Sequence, residues 1–453
     1  MIDRAVLRHL HVEEKERFTA LHPTSAVLAK EARVNLLGGV PMAWMTRWPG
    51  SFPIFFDHAS GAHCTDVDGL DYVDFCLGDT GAMTGHGLVQ VADALHAQAL
   101  RGITTMLPSV DAAWVGAELA RRFGLPAWQM AMTATDANRF VLRFARILTG
   151  RPKVLVFDWC YHGSVDETLA TLDRDGRTII RPGTLGAAFD PATTTVVVPF
   201  NDVDALARAL ATGEIACVLA EPALTNIGIV MPDPQFHAAL RRLTRDHATL
   251  LAIDETHTIC AGPGGATSAW GLDPDFFVIG KTIGGGMPVA AYGMTARIAE
   301  QLAPIITSSA VDVSGVGGTL TGNALAIAAV RATLSSTLRE EDFAQTIPLA
   351  TAWTEGVRAT IEHNNMPWHV QQLGCRAEYW FCPPPRDGAA AAAAVDEELD
   401  AFMHLWALNR GVLLTPFHNM ALMSPQHTMA DVDAHTSVFA AAVEALTSGD
   451  SQR

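Results

Sequence analysis

The sequence predicts an α/β protein whose largest part is a mostly parallel β-sheet. Three observations indicate this class: continuous apolar runs of strand length, helical segments between several of them, and polar residues where the runs end. The runs are KVLVFD (153–158), TTVVVPF (194–200), IACVLAEP (215–222), TLLAIDET (249–256) and FFVIGK (276–281). Apolar strands that alternate with helices are typical of a parallel sheet covered on both faces.

Both ends of the chain predict a smaller α+β domain. Residues 10–36 carry a polar helical pattern, and residues 52–75 predict short strands joined by an Asp-Gly turn. A long helical region begins near residue 325, and RGVLLTPF (410–417) predicts a strand before a final helix. The expected domain limits are 1–65 and 329–453 for the two parts of the small domain and 66–328 for the large domain.

The bulk composition excludes several classes of function. The 453-residue chain has a formal net charge of -17, which argues against a nucleic-acid partner because such proteins present basic patches. Its seven cysteines are scattered and form no Cys-x-x-Cys pair, so we predict neither a disulfide framework nor a metal site. No run reaches the roughly 18 apolar residues of a membrane span, and the N-terminus lacks a signal-peptide core. We therefore expect a cytoplasmic protein without a membrane partner.

One lysine stands at the end of the last apolar run. Lys281 follows the strand pattern FFVIG and precedes three glycines, which allow tight backbone turns. The GKT sequence does not make a P-loop, because that motif needs a glycine five residues before Gly280 and Asp275 stands there. Two interpretations remain at this point: an ordinary surface lysine, or a Schiff-base lysine that attacks a carbonyl group.

An acidic residue ends the preceding run. Asp254 lies 27 residues before Lys281. Because parallel sheets bind ligands beyond the carboxyl ends of their strands, we expect both side chains in one pocket. Such a pair suits pyridoxal phosphate, since the lysine forms an imine with its aldehyde and the aspartate keeps its ring nitrogen protonated. Taken alone, Asp254 could instead cap a helix or form an ion pair.

A series of short motifs follows the chain from about residue 38 to residue 428. They are GGV (38–40), DVDGLDYVDF (66–75), GH (85–86), TDAN (135–138), YHG (161–163), EPALTNIG (221–228), DET (254–256), GKTIGGGMP (280–288) and GGTLTGN (317–323). In combination they resemble the class III aminotransferases, which are fold-type I enzymes that depend on pyridoxal 5'-phosphate, and most of all the glutamate-1-semialdehyde aminomutase branch. The resemblance implies that fold, that cofactor and a large domain paired with a smaller one.

The resemblance also assigns most of the cofactor site. It makes Lys281 the Schiff-base lysine and proton carrier, and Asp254 the partner of the ring nitrogen. Tyr161 resembles the aromatic residue that stacks on the ring, with His162 beside it.

Further implied contacts surround the ring hydroxyl group and the phosphate group. Glu221 resembles the carboxylate on the hydroxyl side of the ring, and Asn226 lies in the same loop. Thr319 resembles the threonine that reaches the phosphate group in the neighbouring subunit. That role makes a homodimer necessary for a complete site.

Two positions near the cofactor depart from the family's pattern. The phosphate-binding sequence is usually Ser-Gly-Thr, but this chain has Thr133, Ala134 and Thr135, so the hydroxyl groups remain while the glycine is lost. We expect this helix N-terminus to bind phosphate with altered affinity. Thr256 stands where the family usually has valine, and its hydroxyl group either bonds the cofactor or simply replaces a methyl group.

A third departure concerns the substrate. The aminomutase branch has an arginine after GGV that clamps a substrate carboxylate, and Met45 falls at that position. Met42, Trp44 and Met45 suggest an apolar pocket wall, although they also suit ordinary loop packing, and Arg47 is the alternative clamp.

These residues favour one activity and leave others open. The favoured activity is transamination from an amine, which need not carry an α-carboxylate, to a keto acid such as pyruvate. An aminomutase or an amino-acid transaminase of the same fold is the alternative within the family. The alternative from another class is a non-catalytic protein that keeps the fold but binds the cofactor poorly.

Overall fold

A computed structural model describes residues 2–447, which divide into two compact units. Within the described residues, the first unit comprises the chain up to Leu88, Glu341–Pro384 and the chain from Ala394 onward, and the second comprises Val89–Glu340 and Pro385–Ala393. Both ends of the chain thus contribute to one unit, as the sequence predicts. The domain limits expected after residues 65 and 328 stay a prediction.

The helices and strands are numbered in chain order over the described residues. The helices are α1 Arg4–Leu21, α2 Pro23–Ala32, α3 Val89–Ala99, α4 Ala112–Phe123, α5 Ala134–Thr149, α6 Val203–Leu210, α7 Phe236–Asp246, α8 Gly265–Ala269, α9 Ala296–Ile306, α10 Ala324–Ser336, α11 Glu340–His363, α12 Gly388–Ala392, α13 Glu397–Leu408 and α14 Met429–Thr447. The strands are β1 Phe56–Ser60, β2 His63–Asp66, β3 Asp71–Asp74, β4 Ala127–Ala131, β5 Lys153–Phe157, β6 Ala170–Leu172, β7 Thr178–Ile180, β8 Thr195–Val198, β9 Ile215–Ala220, β10 Leu250–Asp254, β11 Phe276–Ile279, β12 Ala290–Met294, β13 His369–Leu373, β14 Arg376–Trp380, β15 Val412–Leu413 and β16 Met420–Leu422.

The second unit is built around a seven-stranded sheet in the order β4-β12-β11-β10-β9-β5-β8. Strands β8, β5, β9, β10 and β11 pair in parallel, and β12 is antiparallel to both β11 and β4. These five parallel strands are the five apolar runs of the sequence, so the prediction of a mostly parallel sheet is confirmed. Strands β9, β10 and β11 are buried along their whole length, as in sheets covered on both faces.

The strand register places the main candidate residues at one edge of this sheet. Asp254 ends β10 and pairs with Val278 in β11, and Lys281 follows β11 by two residues. Because β4 and β11 are both antiparallel to β12, they run in the same direction. Helix α5 begins just after β4, so its N-terminus lies at the same edge as Asp254 and Lys281. Parallel sheets bind ligands at this edge.

Helix α5 is fixed on the sheet by its apolar face. Buried Phe140, Val141 and Phe144 recur at helical spacing, and Asn138 shares their face. Gly150 ends the helix in a left-handed conformation, with its amide bonded to the carbonyl of Arg146. The position of the helix N-terminus is therefore set by packing along the helix.

The first unit contains two smaller sheets, β1-β2-β3-β15 and β13-β14-β16. Strand β15 pairs in parallel with β3, so both ends of the chain share one sheet. Phe18 of α1, Tyr72 of β3 and Leu405 of α13 belong to one buried core cluster. This unit is the smaller α+β part that the sequence predicts.

No helix within residues 2–447 has both the length and the apolar character needed to cross a membrane.

Candidate active site

Asp254 lies at the centre of a buried hydrogen-bond network in the second unit. Its Oδ2 accepts hydrogen bonds from Nδ2 of Asn138 (2.8 Å) and Nδ1 of His162 (3.0 Å). Its Oδ1 accepts hydrogen bonds from the amide (3.1 Å) and the hydroxyl group (2.6 Å) of Thr256. Burial favours the neutral carboxyl group, but these hydrogen bonds, that from His162 above all, outweigh burial and lower the pKa of Asp254. Asp254 is therefore ionised at neutral pH.

His162 is the cationic half of this network. Its side chain is completely buried, and burial alone would lower its pKa. The neighbouring groups of Cys160 and Asp254 outweigh burial and raise the pKa of His162 to about 10. Nδ2 of Asn138 also donates to the backbone carbonyl of His162 (3.2 Å), which ties α5 to the loop after β5. His162 and Asp254 thus form a buried ion pair at neutral pH.

Lys281 has a backbone conformation that is uncommon for a residue with a side chain. Its φ is +50°, in the left-handed region. The side chain is partly buried, and its Nζ lies 2.8 Å from Nε2 of His257. The amine is therefore directed toward the segment that follows β10 and Asp254.

Thr133, Ala134 and Thr135 form the N-terminus of α5. Thr133 caps the helix, because its Oγ1 accepts a hydrogen bond from the amide of Asp136 (3.2 Å). Oγ1 of Thr135 accepts a hydrogen bond from the amide of Ser164 (3.1 Å), which joins the helix to the loop after β5. The first amides of a helix have no partner within the helix, so they can bind a phosphate group.

Two glycines let neighbouring loops approach this helix end. Gly163 has a φ of +78°, and a Cβ there would lie 2.0 Å from Oγ1 of Thr135. A Cβ at Gly280 would lie 3.1 Å from the Cβ of Ala134. The methyl group of Ala134, which replaces the family's usual glycine, is thus accommodated by the absence of a side chain at Gly280.

Glu221, the residue after β9, fixes the loop that precedes His162. Its Oε1 accepts a hydrogen bond from the amide of Tyr161 (3.2 Å), and its Oε2 accepts hydrogen bonds from the amide (3.1 Å) and the hydroxyl group (2.5 Å) of Thr225. Burial raises the pKa of Glu221, although His162 and Thr225 oppose the shift. Asn226 is the next residue in this loop and is partly buried. The contacts of the Tyr161 ring and of Asn226 with the cofactor stay predictions.

The remaining predicted residues lie outside this network. Thr319 is exposed in the loop before α10, and its contact with a neighbouring subunit stays a prediction. Met42, Trp44, Met45 and Arg47 belong to the first unit, in or beside a short 3₁₀ helix, and all four are exposed. Their role in substrate binding likewise stays a prediction.

The sequence did not reveal two contacts of the site. Asn138 lies within the TDAN motif but had no assigned role, and His257 follows the DET motif directly. A polar residue on the apolar face of α5 is a usable signal, because buried polar groups are nearly always hydrogen-bonded. No comparable signal in the sequence pairs His257 with Lys281.

The model of the family Aminotransferase class-III matches residues 44–442 of this chain. The chain belongs to this family. Among curated proteins, this aminotransferase is similar to the glutamate-1-semialdehyde 2,1-aminomutase of Desulfitobacterium hafniense (strain Y51). The two are 34% identical over 392 residues, which cover 85% of this chain and 89% of the relative.

Solved structures extend the similarity to nearly the whole chain. A glutamate-1-semialdehyde aminomutase from Pseudomonas aeruginosa PAO1 is 50% identical, with a TM-score of 0.96 over 98% of this chain and 99% of that chain. A lysine-to-alanine form of such an enzyme from the same organism, in complex with PMP, is 49% identical, with a TM-score of 0.97 and the same coverage. An omega-transaminase from Sphaerobacter thermophilus is 26% identical, with a TM-score of 0.86 over 93% of this chain and 98% of that chain.

As a class III aminotransferase, the chain is a fold-type I enzyme that uses pyridoxal 5'-phosphate. The predictions of family, fold, enzyme and cofactor are confirmed, which leaves the non-catalytic alternative without support. The residues of the candidate site are suited to pyridoxal 5'-phosphate. The ionised Asp254 complements a protonated ring nitrogen, Lys281 offers an amine, and the cradle that a Cβ at Gly163 would fill lies beside the helix N-terminus at Thr135.

Proposed function

We propose that this enzyme is an aminomutase of the glutamate-1-semialdehyde type, which exchanges the amino and oxo groups of neighbouring carbon atoms in a small amino aldehyde. Similarity along nearly the whole chain to two solved structures described as glutamate-1-semialdehyde aminomutases supports this choice. The structural observation that carries the chemistry is the ionised Asp254 on the strand beside the one that leads to Lys281.

The residues of the site have different roles, which follow from their charges. When bound, pyridoxal phosphate supplies an electron sink for the electron pair left behind when a C–H bond beside nitrogen breaks. Asp254 would keep the ring nitrogen protonated, and His162 keeps Asp254 charged. Nζ of Lys281 would hold the cofactor and, once free, take a proton from one carbon atom and return it to another. The N-terminus of α5 would bind the phosphate group.

The second candidate is the amine-to-keto-acid transamination favoured by the sequence. The observation in its favour is the segment around Met45, where Met42, Trp44 and Met45 are 45%, 44% and 39% exposed. A carboxylate that enters an apolar wall without a cationic partner loses hydration and gains no compensating hydrogen bonds. Arg47 is the cation in this segment, so carboxylate substrates should depend on it more than simple amines do.

A direct comparison of products separates the two candidates. The purified holoenzyme is supplied with glutamate-1-semialdehyde, and separately with 1-phenylethylamine plus pyruvate. We expect 5-aminolevulinate from the first mixture, with a kcat/KM at least about tenfold above that for alanine formation in the second. Alanine as the main product would establish the second candidate instead. Product in neither mixture would contradict both assignments of substrate.

Two lysine variants provide the matched control. Lys281→Ala should abolish product formation in either mixture while the protein stays folded, because no other positioned amine can carry the proton. Lys153 begins β5, at the opposite edge of the sheet, and pairs with Glu214 (Nζ to Oε2, 2.9 Å). Lys153→Ala should therefore retain activity. Near-normal turnover by Lys281→Ala would contradict the assigned role of Lys281.

A further inference from the structure

His257 contacts the amine of Lys281 and has no part in the function proposed so far. Its Nε2 lies 2.8 Å from Nζ, within hydrogen-bonding distance. It lies three residues after Asp254, directly before a short 3₁₀ helix. Its backbone is in the right-handed helical region (φ -100°, ψ -36°), so the segment holds the imidazole without strain.

The residues on both sides of His257 are anchored. Thr256 is bonded to the carboxylate of Asp254 through its amide and its hydroxyl group. Thr258 donates its hydroxyl hydrogen to Oε2 of the buried Glu255 (2.6 Å), and the amide of Ala266 donates to the same oxygen (3.1 Å). With both flanking residues tied to buried carboxylates, the imidazole faces Lys281 from a fixed backbone.

The neighbouring acidic side chains, Asp254 and Glu255, already accept hydrogen bonds from other groups. Asp254 accepts four hydrogen bonds, and Glu255 is bonded to Thr258 and Ala266. His162, the other histidine at this edge, is ion-paired with Asp254. Nε2 of His257 lies within hydrogen-bonding distance of Nζ, and an imidazole is the kind of side chain that commonly exchanges protons near neutral pH.

We propose that His257 is the proton acceptor of Lys281, an inference that rests on the proposed role of Lys281. An ammonium group has only donors, so in the charged state Nε2 must accept a hydrogen bond from Nζ, with the ring proton on Nδ1. In the proton transfer one N–H bond of the ammonium breaks, its electron pair stays on Nζ, and Nε2 gains the proton. The neutral amine can then attack a carbonyl group or remove a proton from carbon.

The test follows the attachment of the cofactor rather than turnover. Full-length protein freed of cofactor is mixed with saturating pyridoxal 5'-phosphate, and the rate of covalent attachment is read from visible absorption across a range of pH. We compare His257→Gln, which keeps a hydrogen-bonding amide that cannot take up a proton, with His257→Met, which removes both properties. His247→Met is the matched control, because His247 is partly buried in the same unit at the end of α7.

Both His257 variants should attach the cofactor at least about tenfold more slowly near neutral pH, in line with the loss of a positioned base. The difference should shrink at alkaline pH, where a lysine side chain in water loses its proton without a neighbouring base. His247→Met should match the unmodified protein. A His257→Gln profile that matches the unmodified protein overturns the inference, and so does a slowing of both variants that is equal at every pH.

The experiment distinguishes a wrong assignment of Lys281 from a wrong inference about His257. If Lys281→Ala still attaches the cofactor covalently with the same spectrum, the role of Lys281 is wrong, whatever the His257 variants do. If Lys281→Ala binds the cofactor without covalent attachment while the His257 profiles are unchanged, the role of Lys281 stands and the inference about His257 is wrong.

Discussion

Glu221 and Asp254 lie at the ends of neighbouring strands, β9 and β10, and are equally buried, at 3% and 4% exposed. The pKa of Glu221 is nevertheless raised, whereas that of Asp254 is lowered. Burial favours the neutral form of both carboxyl groups, so the difference comes from their partners.

The partners differ in charge more than in number. Glu221 accepts hydrogen bonds from neutral groups, the amide of Tyr161 and the amide and hydroxyl group of Thr225. Asp254 accepts one from His162, whose raised pKa keeps it cationic. The negative charge of Asp254 also raises the pKa of Glu221. The hydrogen bond and charge of His162 thus lower the pKa of Asp254, whereas burial keeps the pKa of Glu221 raised, and the ionised Asp254 can pair with a protonated ring nitrogen.

Removing the charge of Asp254 should have the largest effect. Asp254→Asn keeps the size of the side chain but cannot hold a ring nitrogen protonated, so we expect kcat to fall by about 100-fold or more. Cofactor attachment to Lys281 should persist, which visible absorption of the purified variant would reveal. A loss of kcat below about tenfold would mean that Asp254 has only a structural role.

Removing the positive charge of His162 should make the pKa of Asp254 change in the direction seen for Glu221. His162→Gln can still donate to Oδ2, but without a positive charge, so the pKa of Asp254 should rise. We expect kcat to fall by about tenfold, since hydrogen bonds to charged groups are worth roughly 1.5–3 kcal/mol. The acid limb of the activity profile should move to higher pH. An unmoved acid limb would show that His162 does not set the charge of Asp254.

The same pair predicts a pH window for stability. The lowered pKa of Asp254 stabilises the fold above the unfolded value of about 3.9, and this contribution is lost as the pH falls through the folded value. The raised pKa of His162 stabilises the fold below about 6.5, and this contribution is lost as the pH rises through about 10. The difference in unfolding free energy between the unmodified protein and His162→Gln should therefore peak between about pH 4 and 6.5. A difference independent of pH would contradict the ion pair.

Two matched threonine variants should change kcat less than the Asp254 and His162 variants do. Thr256→Val removes a hydroxyl donor from Asp254, and Thr225→Val removes one from Glu221, while the backbone amide of each residue remains as a donor. We expect Thr256→Val to lower kcat by about threefold to tenfold, as the loss of one hydrogen bond does, and Thr225→Val to leave it within about twofold. Equal losses of kcat in the two variants would mean that the Thr256 hydroxyl group does not act by supporting the charge of Asp254.

The sequence could predict the sheet and the two central residues because both depend on local patterns. The five apolar runs became the five parallel strands, and the residues that follow such runs lie at one edge by topology. Asp254 and Lys281 could be predicted in this way. This pair already suggested the cofactor, and most of the other assigned roles came from resemblance to a family.

The contacts that hold and polarise Asp254 and Lys281 could not be predicted in the same way. Asn138 lies 116 residues from Asp254, and their contact depends on how α5 packs against the sheet. For Thr256 the sequence left two interpretations open, and the hydroxyl group turned out to bond Asp254. The contact between His257 and Lys281 joins the segments that follow two neighbouring strands, β10 and β11, and the lysine has a left-handed backbone; a pattern of residue types encodes neither feature.

One labelling experiment tests directly whether Lys281 is the residue to which the cofactor attaches. The chain has four lysines, Lys15, Lys30, Lys153 and Lys281, so the site of attachment can be assigned without ambiguity. The holoenzyme is reduced with borohydride, digested, and mapped by mass spectrometry. We expect the reduced cofactor on the peptide that contains Lys281. A label on any of the other three lysines, or no label on a protein that carries bound cofactor, would contradict it.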